Sequence, residues 1–377
     1  MARAGRILIV GGGIAGLALA IALRRRGVSP DIVERADALP STGAGLYLIG
    51  AATRALDHLE VSSAVLDEGV VIRTQTFRDA RGSRLAEVDV HEYWKTCGPC
   101  IGVSRVALHQ ALASRLDGVA VRFGTSVREV VQERARVSVR FTDGTSESYD
   151  LVVGADGIRS SVRRLALGEA RPRFRGQIGW RFVARATATT PVDAWTVYLG
   201  AGSAFLLVPI RDDAVYCYAD RMARRPAAES SSPDVVRLRE RFHRFALPVQ
   251  SVLDQLESAD QLHCAPIEEL AHESWGRGRI ILIGDAAHAM SPNMACGAAL
   301  AMEDALVLAD LIAQPGETND VLPELVRRRA ARVRWVRRQT HRRDRLRRLP
   351  SALRRFVLPR LTEKTYQSNY RPLLTIP

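Results

Sequence analysis

The hexapeptide Gly11-Gly12-Gly13-Ile14-Ala15-Gly16 constrains this chain more than any other stretch. It follows an apolar run, Arg6 to Val10, and opens an Ala/Leu-rich segment, Ile14 to Arg26, that stops at Gly27. A short apolar run bounded by glycine predicts a buried parallel strand, and the segment after it predicts a helix with Gly27 at its C-cap. Asp31 to Glu34 predicts a second strand, so the whole reads as a strand–helix–strand crossover. Each glycine of G-x-G-x-x-G then has a task. Gly11 permits the tight turn, Gly13 lets backbone approach a pyrophosphate, and Gly16 lets the helix pack on the strand. The helix start, with Ala15 in its first turn, offers free N–H groups and a positive end to phosphates. Glu34, 18 residues past Gly16, stands at a strand end where a carboxylate accepts bonds from ribose hydroxyls, and Arg35 is counted with it. The pattern predicts a dinucleotide site and does not distinguish NAD from FAD.

Two further constellations recur downstream. Gly154-Ala155-Asp156-Gly157-Ile158-Arg159-Ser160 follows the apolar run Leu151-Val152-Val153, and Gly284-Asp285-Ala286-Ala287-His288 follows Arg279 to Ile283. Residues 104–117 and Cys296 to Ile312 have helical spacing. Between them the pattern changes. From Gly179 to Asp220 it becomes strand-like, with Trp180, Phe182, Trp195, Val197, Tyr198, Phe205, Leu207, Tyr216 and Tyr218 separated by turns at Gly200-Ala201-Gly202 and Asp212-Asp213. Ala227 to Pro233 reads as a loop. The chain is therefore expected to be α/β: a Rossmann-like nucleotide-binding domain built from separated segments, an inserted antiparallel-sheet domain, and a C-terminal helical segment. The boundaries expected are 1–72, 101–170 and 276–345 for the first, 73–100 and 171–275 for the second, and 346–377 for the third.

With these three motifs in this order, the chain resembles the class A flavoprotein monooxygenases, the para-hydroxybenzoate hydroxylase-like family, over nearly its whole length. The resemblance implies FAD as the resident cofactor and NADH or NADPH as a transient reductant, consistent with the lack of a second G-x-G-x-x-G. It implies that Asp285, after Gly284, holds ribitol hydroxyls and that Asp156 serves FAD and nicotinamide use. Arg105, in Ser104-Arg105-Val106, is implied near the diphosphate or ribitol, Gly45 of Gly43-Ala44-Gly45 beside the isoalloxazine, and Val127 within the same cofactor set. Gly297 and Ala298 would bring a helix start against the flavin pyrimidine ring. Cys296 stands where the family usually has glutamine, which removes that side-chain contact and leaves the backbone one. The implied reaction is hydroxylation of a small aromatic or polycyclic substrate with dioxygen through a flavin C4a-hydroperoxide, with Pro292 flanking the peroxide. The inserted sheet would cover the ring, and its polar candidates for handling a phenolic proton are Arg181, Tyr198, Tyr216 and Tyr218. A flavin dehydrogenase, reductase or epoxidase of the same fold stays open, as does a non-catalytic basic FAD-binding protein. No Trp-x-Trp-x-Ile-Pro run supports a halogenase.

Charge and cysteine content bound the remaining classes. The net charge is +13, much of it in Arg327 to Arg348. That run has helical spacing, with Val326, Ala330, Val333, Val336 and Leu346 for a buried stripe, so it reads as a C-terminal helix with a solvated basic face and not as a nucleic-acid module. The five cysteines form no disulfide framework. Cys97-Gly98-Pro99-Cys100 has redox-pair spacing, but a strand and not a helix is expected after it, so two ordinary loop thiols are expected. His288 is expected to pack beside its turn. No signal peptide or apolar run of spanning length is read, so the expectation is a cytoplasmic enzyme, monomer or homodimer, with no metal.

Overall fold

The computed structural model describes residues 5–168, 171–224, 234–346 and 362–377. The expected loop Ala227–Pro233 and residues 347–361 of the expected C-terminal segment lie outside these. A six-stranded sheet forms the first layer. Its order is Gly276–Arg277, Ile280–Leu282, Leu151–Gly154, Ile7–Val10, Asp31–Val33 and Val121–Arg122, and only the Gly276–Arg277 edge runs antiparallel. All four residues of Ile7–Val10 are buried, as a parallel strand covered on both faces requires. The helix Ile14–Arg24 is apolar on nearly every side and packs against Gly297–Ala313. Gly16 lets this helix lie close on the turn and strand before it, since a Cβ there would stand 1.9 Å from the Gly11 carbonyl oxygen and 3.3 Å from Ile9 Cγ2.

The second large sheet has seven strands in the order His263–Glu269, Arg173–Arg185, Ala214–Met222, Ser203–Arg211, Ala194–Leu199, Thr74–Asp79 and Arg84–Asp89. The expected antiparallel middle is present, and two strands from earlier in the chain extend it. One junction is parallel, that between Ala194–Leu199 and Thr74–Asp79. Strand alternation divides the residues expected to form one aromatic wall. Trp180 pairs with Ala219, Phe182 with Cys217, and Tyr198 with Phe205, which puts these side chains and Leu207 on a single face. That face packs on the helices Val235–Phe242 and Leu247–Leu253, with the Phe242 ring 5.3 Å from Phe205 and 6.4 Å from Trp180. Trp195, Val197, Tyr216 and Tyr218 point the other way. Tyr198 is thus a core residue and not a proton handler, because register assigns it to the far face.

The arginine-rich helix spans Val321–Leu346, and Ala330, Val333 and Val336 are its buried stripe. Its basic side is not wholly solvated, contrary to expectation. Arg329 is fully buried and donates to Asp304 Oδ1 at 2.7 Å and Glu303 Oε2 at 2.8 Å. Two buried carboxylates on the neighbouring helix need a cation, and this helix supplies it. Arg54 holds the final residues by donating to the carbonyls of Leu373, Leu374 and Thr375. Cys97 and Cys100 are both buried and unbonded to each other. Cys97 lies in the turn after the helix Val90–Trp94, as expected, with Arg54 donating to its Sγ; Cys100 instead opens the strand Cys100–Ser104, and burial pushes its thiol up to about 12. Among the described residues no cluster could hold a metal ion, and no helix is long and apolar enough to cross a membrane.

Candidate functional site

A cavity of about 600 Å³ lies between the two large sheets. Two long helices begin at it. Ile14–Arg24 starts from Gly13 and Gly297–Ala313 starts from Cys296, and neither start has a side-chain cap or an acidic residue in its first turn. Their free N–H groups and positive ends therefore face the cavity. A Cβ at Gly13 or Gly297 would meet nothing within 4 Å, so there is open space in front of both. Ala15, Gly45, Arg105, Asp285, Cys296 and Ala298 also line the cavity. Two positive helix ends, a carboxylate and open glycine backbone in one elongated space fit a dinucleotide that carries both a diphosphate and polar ring edges.

Asp285 follows Gly284, whose φ of +58° turns the chain sharply after the strand Ile280–Leu282. The turn is pinned from below, because the Gly284 N–H donates to Asp304 Oδ2 at 3.0 Å. Its side chain opens to the cavity although the position is deep in the fold. Burial pushes its carboxyl above the usual range, against the pull of His288 and Arg105. His288 shares a 2.6 Å hydrogen bond with Asp304 and is 2% exposed, so it packs beside the turn as expected. Arg105 begins the helix Arg105–Ala113, which Ser104 caps by accepting from the Ala107 N–H at 3.0 Å. The Arg105 backbone N–H bonds the Ala44 carbonyl, tying this helix to the Gly43-Ala44-Gly45 loop.

Other expected cofactor residues stand behind the cavity. Gly11, with φ +113°, brings backbone against Ala155, where a Cβ would be 2.5 Å from the carbonyl oxygen. The Glu34 carboxylate is at its strand end and accepts from the N–H groups of Gly12 at 2.6 Å and Ala36 at 2.9 Å. Arg35 is exposed, and Val127 is buried at the start of the strand Val127–Gln132; neither lines the cavity. Asp156 departs most from expectation. Its oxygens accept from Ser160 Oγ and from the N–H groups of Ser161 and Val162, capping the helix Ser161–Leu167. Ala155 and Gly157 face the cavity in its place.

The opposite wall is the second face of the seven-stranded sheet. Phe77, Trp195, Val197, Leu206, Val208 and Tyr216 line it. Of the expected catalytic candidates, Pro292 and Tyr216 are at the cavity and Arg181 is not. Arg181 instead lies over the Tyr218 ring at 5.3 Å and stands near enough to the Tyr216 hydroxyl to act on its charge. Burial pushes that hydroxyl up, and the arginine pulls it partly back. Two glycines bring the small sheet of Gly45–Leu48 and Cys100–Ser104 onto this wall. A Cβ on Gly45 would stand 2.3 Å from Tyr216 Cβ, and one on Gly102 would stand 2.0 Å from the Pro209 carbonyl oxygen.

Sequence reasoning missed a brace on the loop before Gly297. Pro292–Met294 forms one helical turn, and Ala295 follows in the left-handed region at φ +50°. Arg343 donates to the Asn293 carbonyl at 2.9 Å and to the Tyr370 hydroxyl at 3.0 Å; that hydroxyl donates to the Met294 carbonyl at 3.0 Å. Asn293 also bonds Asp344. Cys296 donates to the Met294 carbonyl, is 3% exposed, and has its thiol pushed well up by burial, which does not suit a thiolate task.

Comparison with known proteins agrees with this geometry. The family model for the FAD binding domain matches residues 5–339. The 2-heptyl-3-hydroxy-4(1H)-quinolone synthase of Pseudomonas aeruginosa is 35% identical over 89% of this chain and 87% of its own length. The aurachin C monooxygenase/isomerase of Stigmatella aurantiaca is 34% identical over 87% of this chain and 85% of its own. The crystal structure of Klebsiella pneumoniae HpxO complexed with FAD and uric acid superimposes with a TM-score of 0.85 at 25% identity, covering 98% of this chain and 92% of that one. The chain belongs to the FAD-binding-domain family of class A flavoprotein hydroxylases. It is an FAD-dependent monooxygenase, with NADH or NADPH as reductant.

Proposed function

We propose that FAD lies between the two helix starts and that the enzyme places one oxygen atom of dioxygen on a small aromatic or heteroaromatic substrate held against the sheet wall. The observation that carries this reading is the convergence of Gly13, Asp285 and Gly297 on one cavity whose far side is apolar. When bound, FAD accepts a hydride from NADH or NADPH and activates dioxygen. The protein's part is binding, orientation and exclusion of water. Gly11, Gly13, Ala15 and Gly16 seat the diphosphate on a helix end, with Glu34 and Arg35 toward the adenosine ribose and Val127 and Asp156 as supports behind. Arg105 neutralises phosphate charge and Asp285 accepts from ribityl hydroxyls. Gly297 and Ala298 offer N–H groups where negative charge gathers on the reduced ring. Pro292 and Tyr216 would flank the substrate space once the cofactor is bound, and the positive charge of Arg181 would act on the Tyr216 hydroxyl.

In this reading residues 1–72, 101–170 and 276–345 form the FAD-binding body, 73–100 and 171–275 the substrate body, and 346–377 a C-terminal brace. The enzyme is cytoplasmic, a monomer or homodimer, and needs no nucleic-acid partner. The names of its relatives span a quinolone, urate and an aminohydroxybenzoate, which supports an electron-rich ring as the substrate class. The test is a screen of the yellow holoenzyme for NADH or NADPH consumption against a panel of aromatic compounds, with product mass read for one added oxygen. At least one compound should accelerate consumption and gain oxygen. If reductant is consumed at one rate whatever is added and no product gains oxygen, the monooxygenase reading fails.

A further inference from the structure

We propose that the sheet wall selects an uncharged fused heteroaromatic that carries a conjugated N–H/C=O pair and a hydrocarbon side chain, with Gln75 and Trp195 reading the polar pair. This rests on the monooxygenase reading and names its substrate class. Gln75 and Trp195 are register partners on the parallel strands Thr74–Asp79 and Ala194–Leu199, and both line the cavity. They are 1% and 5% exposed, and neither Gln75 Oε1 nor Trp195 Nε1 has a hydrogen-bond partner. These two buried polar atoms, on paired positions of adjacent strands, are already stripped of water, so a ligand that pairs them bears the desolvation cost of its own polar atoms alone. The indole N–H can only donate, so it calls for a ligand carbonyl. The amide oxygen calls for a ligand N–H, and its terminal torsion is soft enough to turn toward one.

The surroundings argue against charge and for hydrocarbon. Phe77, Leu199 and Leu206 are half-buried, Val197 is buried, and together they continue the wall. Arg181 shares this face by register and is engaged with Tyr216 and Tyr218. The cations that do line the cavity lie elsewhere: Arg105 is on the dinucleotide side, Arg343 is held by the Asn293 carbonyl and Tyr370, and Arg342 is exposed. A carboxylate pressed against the wall would find no cation among these wall residues, and an unpaired buried charge is heavily penalised.

The experiment measures ligand affinity through perturbation of the flavin absorbance of the holoenzyme. The probes are a 4(1H)-quinolone with an alkyl chain at position 2, its N-methyl analogue, a quinoline carboxylate and 4-hydroxybenzoate. The N–H quinolone should bind at least tenfold tighter than each of the others. Gln75→Leu should weaken it about tenfold, one net hydrogen bond, and leave the N-methyl analogue unchanged. If Gln75→Leu does not fold, the N–H against N-methyl comparison on the native enzyme decides the question. Tightest binding by a carboxylate, equal binding of the two quinolones, or an equal loss for both in Gln75→Leu would overturn the assignment. Oxygenation of 4-hydroxybenzoate with no quinolone binding would sink this subsite and leave the monooxygenase standing; oxygenation of nothing would sink the earlier reading.

Discussion

Replacing Tyr370 by phenylalanine removes one oxygen atom from a fully buried position and keeps the ring that packs on Trp94 and Tyr366. The lost hydroxyl accepts from a guanidinium and donates to the Met294 carbonyl. A bond to a charged group is worth about 1.5–3 kcal/mol, and here part survives because Arg343 keeps the Asn293 carbonyl, so the net loss is about 1.5–2 kcal/mol. If the brace fixes the loop before Gly297, that energy is lost from the loop's closed state alone. The Ala295 N–H, which bonds the Pro292 carbonyl at 2.8 Å, reports directly on loop opening. Hydrogen exchange at this amide in the holoenzyme should accelerate about ten- to thirtyfold, while exchange in the strand Ile7–Val10 stays as it was. A loosened loop should also admit water, raising hydrogen peroxide released per NADH or NADPH consumed several-fold. Unchanged exchange across 292–297, with only a lower melting temperature, would refute the idea that the tyrosine positions this loop.

Asp285→Ala should weaken FAD binding at least tenfold, read by flavin fluorescence, with little change in the melting temperature of the FAD-free chain; normal affinity would remove Asp285 from the site. Ala295→Gly should stabilise the enzyme by about 0.5–1 kcal/mol in a denaturant titration, because alanine is strained at φ +50° and glycine is not. Neighbouring wall residues should behave in opposite ways. Phe205→Ala should cost about 3–5 kcal/mol of stability, whereas Leu206→Ala should change substrate affinity and leave the fold nearly intact. Burial pushes the Asp304 carboxyl up, but His288 and Arg329 outweigh it and hold the group below its ordinary value of 3.8. A depressed folded value means this stabilisation is present above about pH 4 and is lost as pH falls further. The melting temperature should therefore drop on acidification below that point, and a flat profile there would contradict the assignment.

The parts of the site that depend on backbone geometry were legible in the sequence. The glycine turn at 11–16, the Gly284-Asp285 turn and the helix from 297 each declare themselves within a few residues, because few residue types tolerate such turns. The two faces of the seven-stranded sheet were not separable, since both are apolar and alternation says which residues share a face, not which face meets the cavity. Phe205 and Leu206 look alike until the helix Val235–Phe242 is seen against one of them. The cap that Asp156 provides was not legible either, because a carboxylate after a strand can serve a ligand or bond its own helix start, and the sequence does not show the local bonds. Arg329 and Tyr370 bond partners 25 and 76 residues away, and no local pattern announces such pairs.

Gly45 and Gly102 act as shims of zero thickness. They sit on adjacent strands, and each lets the small sheet rest directly on the seven-stranded one. The spacing between this small sheet and the wall is therefore set where Gly45 backbone meets the root of the Tyr216 side chain and Gly102 backbone meets the Pro209 carbonyl. On the proposed reading, a spacing fixed in this way should favour planar molecules over puckered ones of similar mass. Its tolerance for new substrates should thus lie along the wall, in length and edge chemistry, and hardly at all across it.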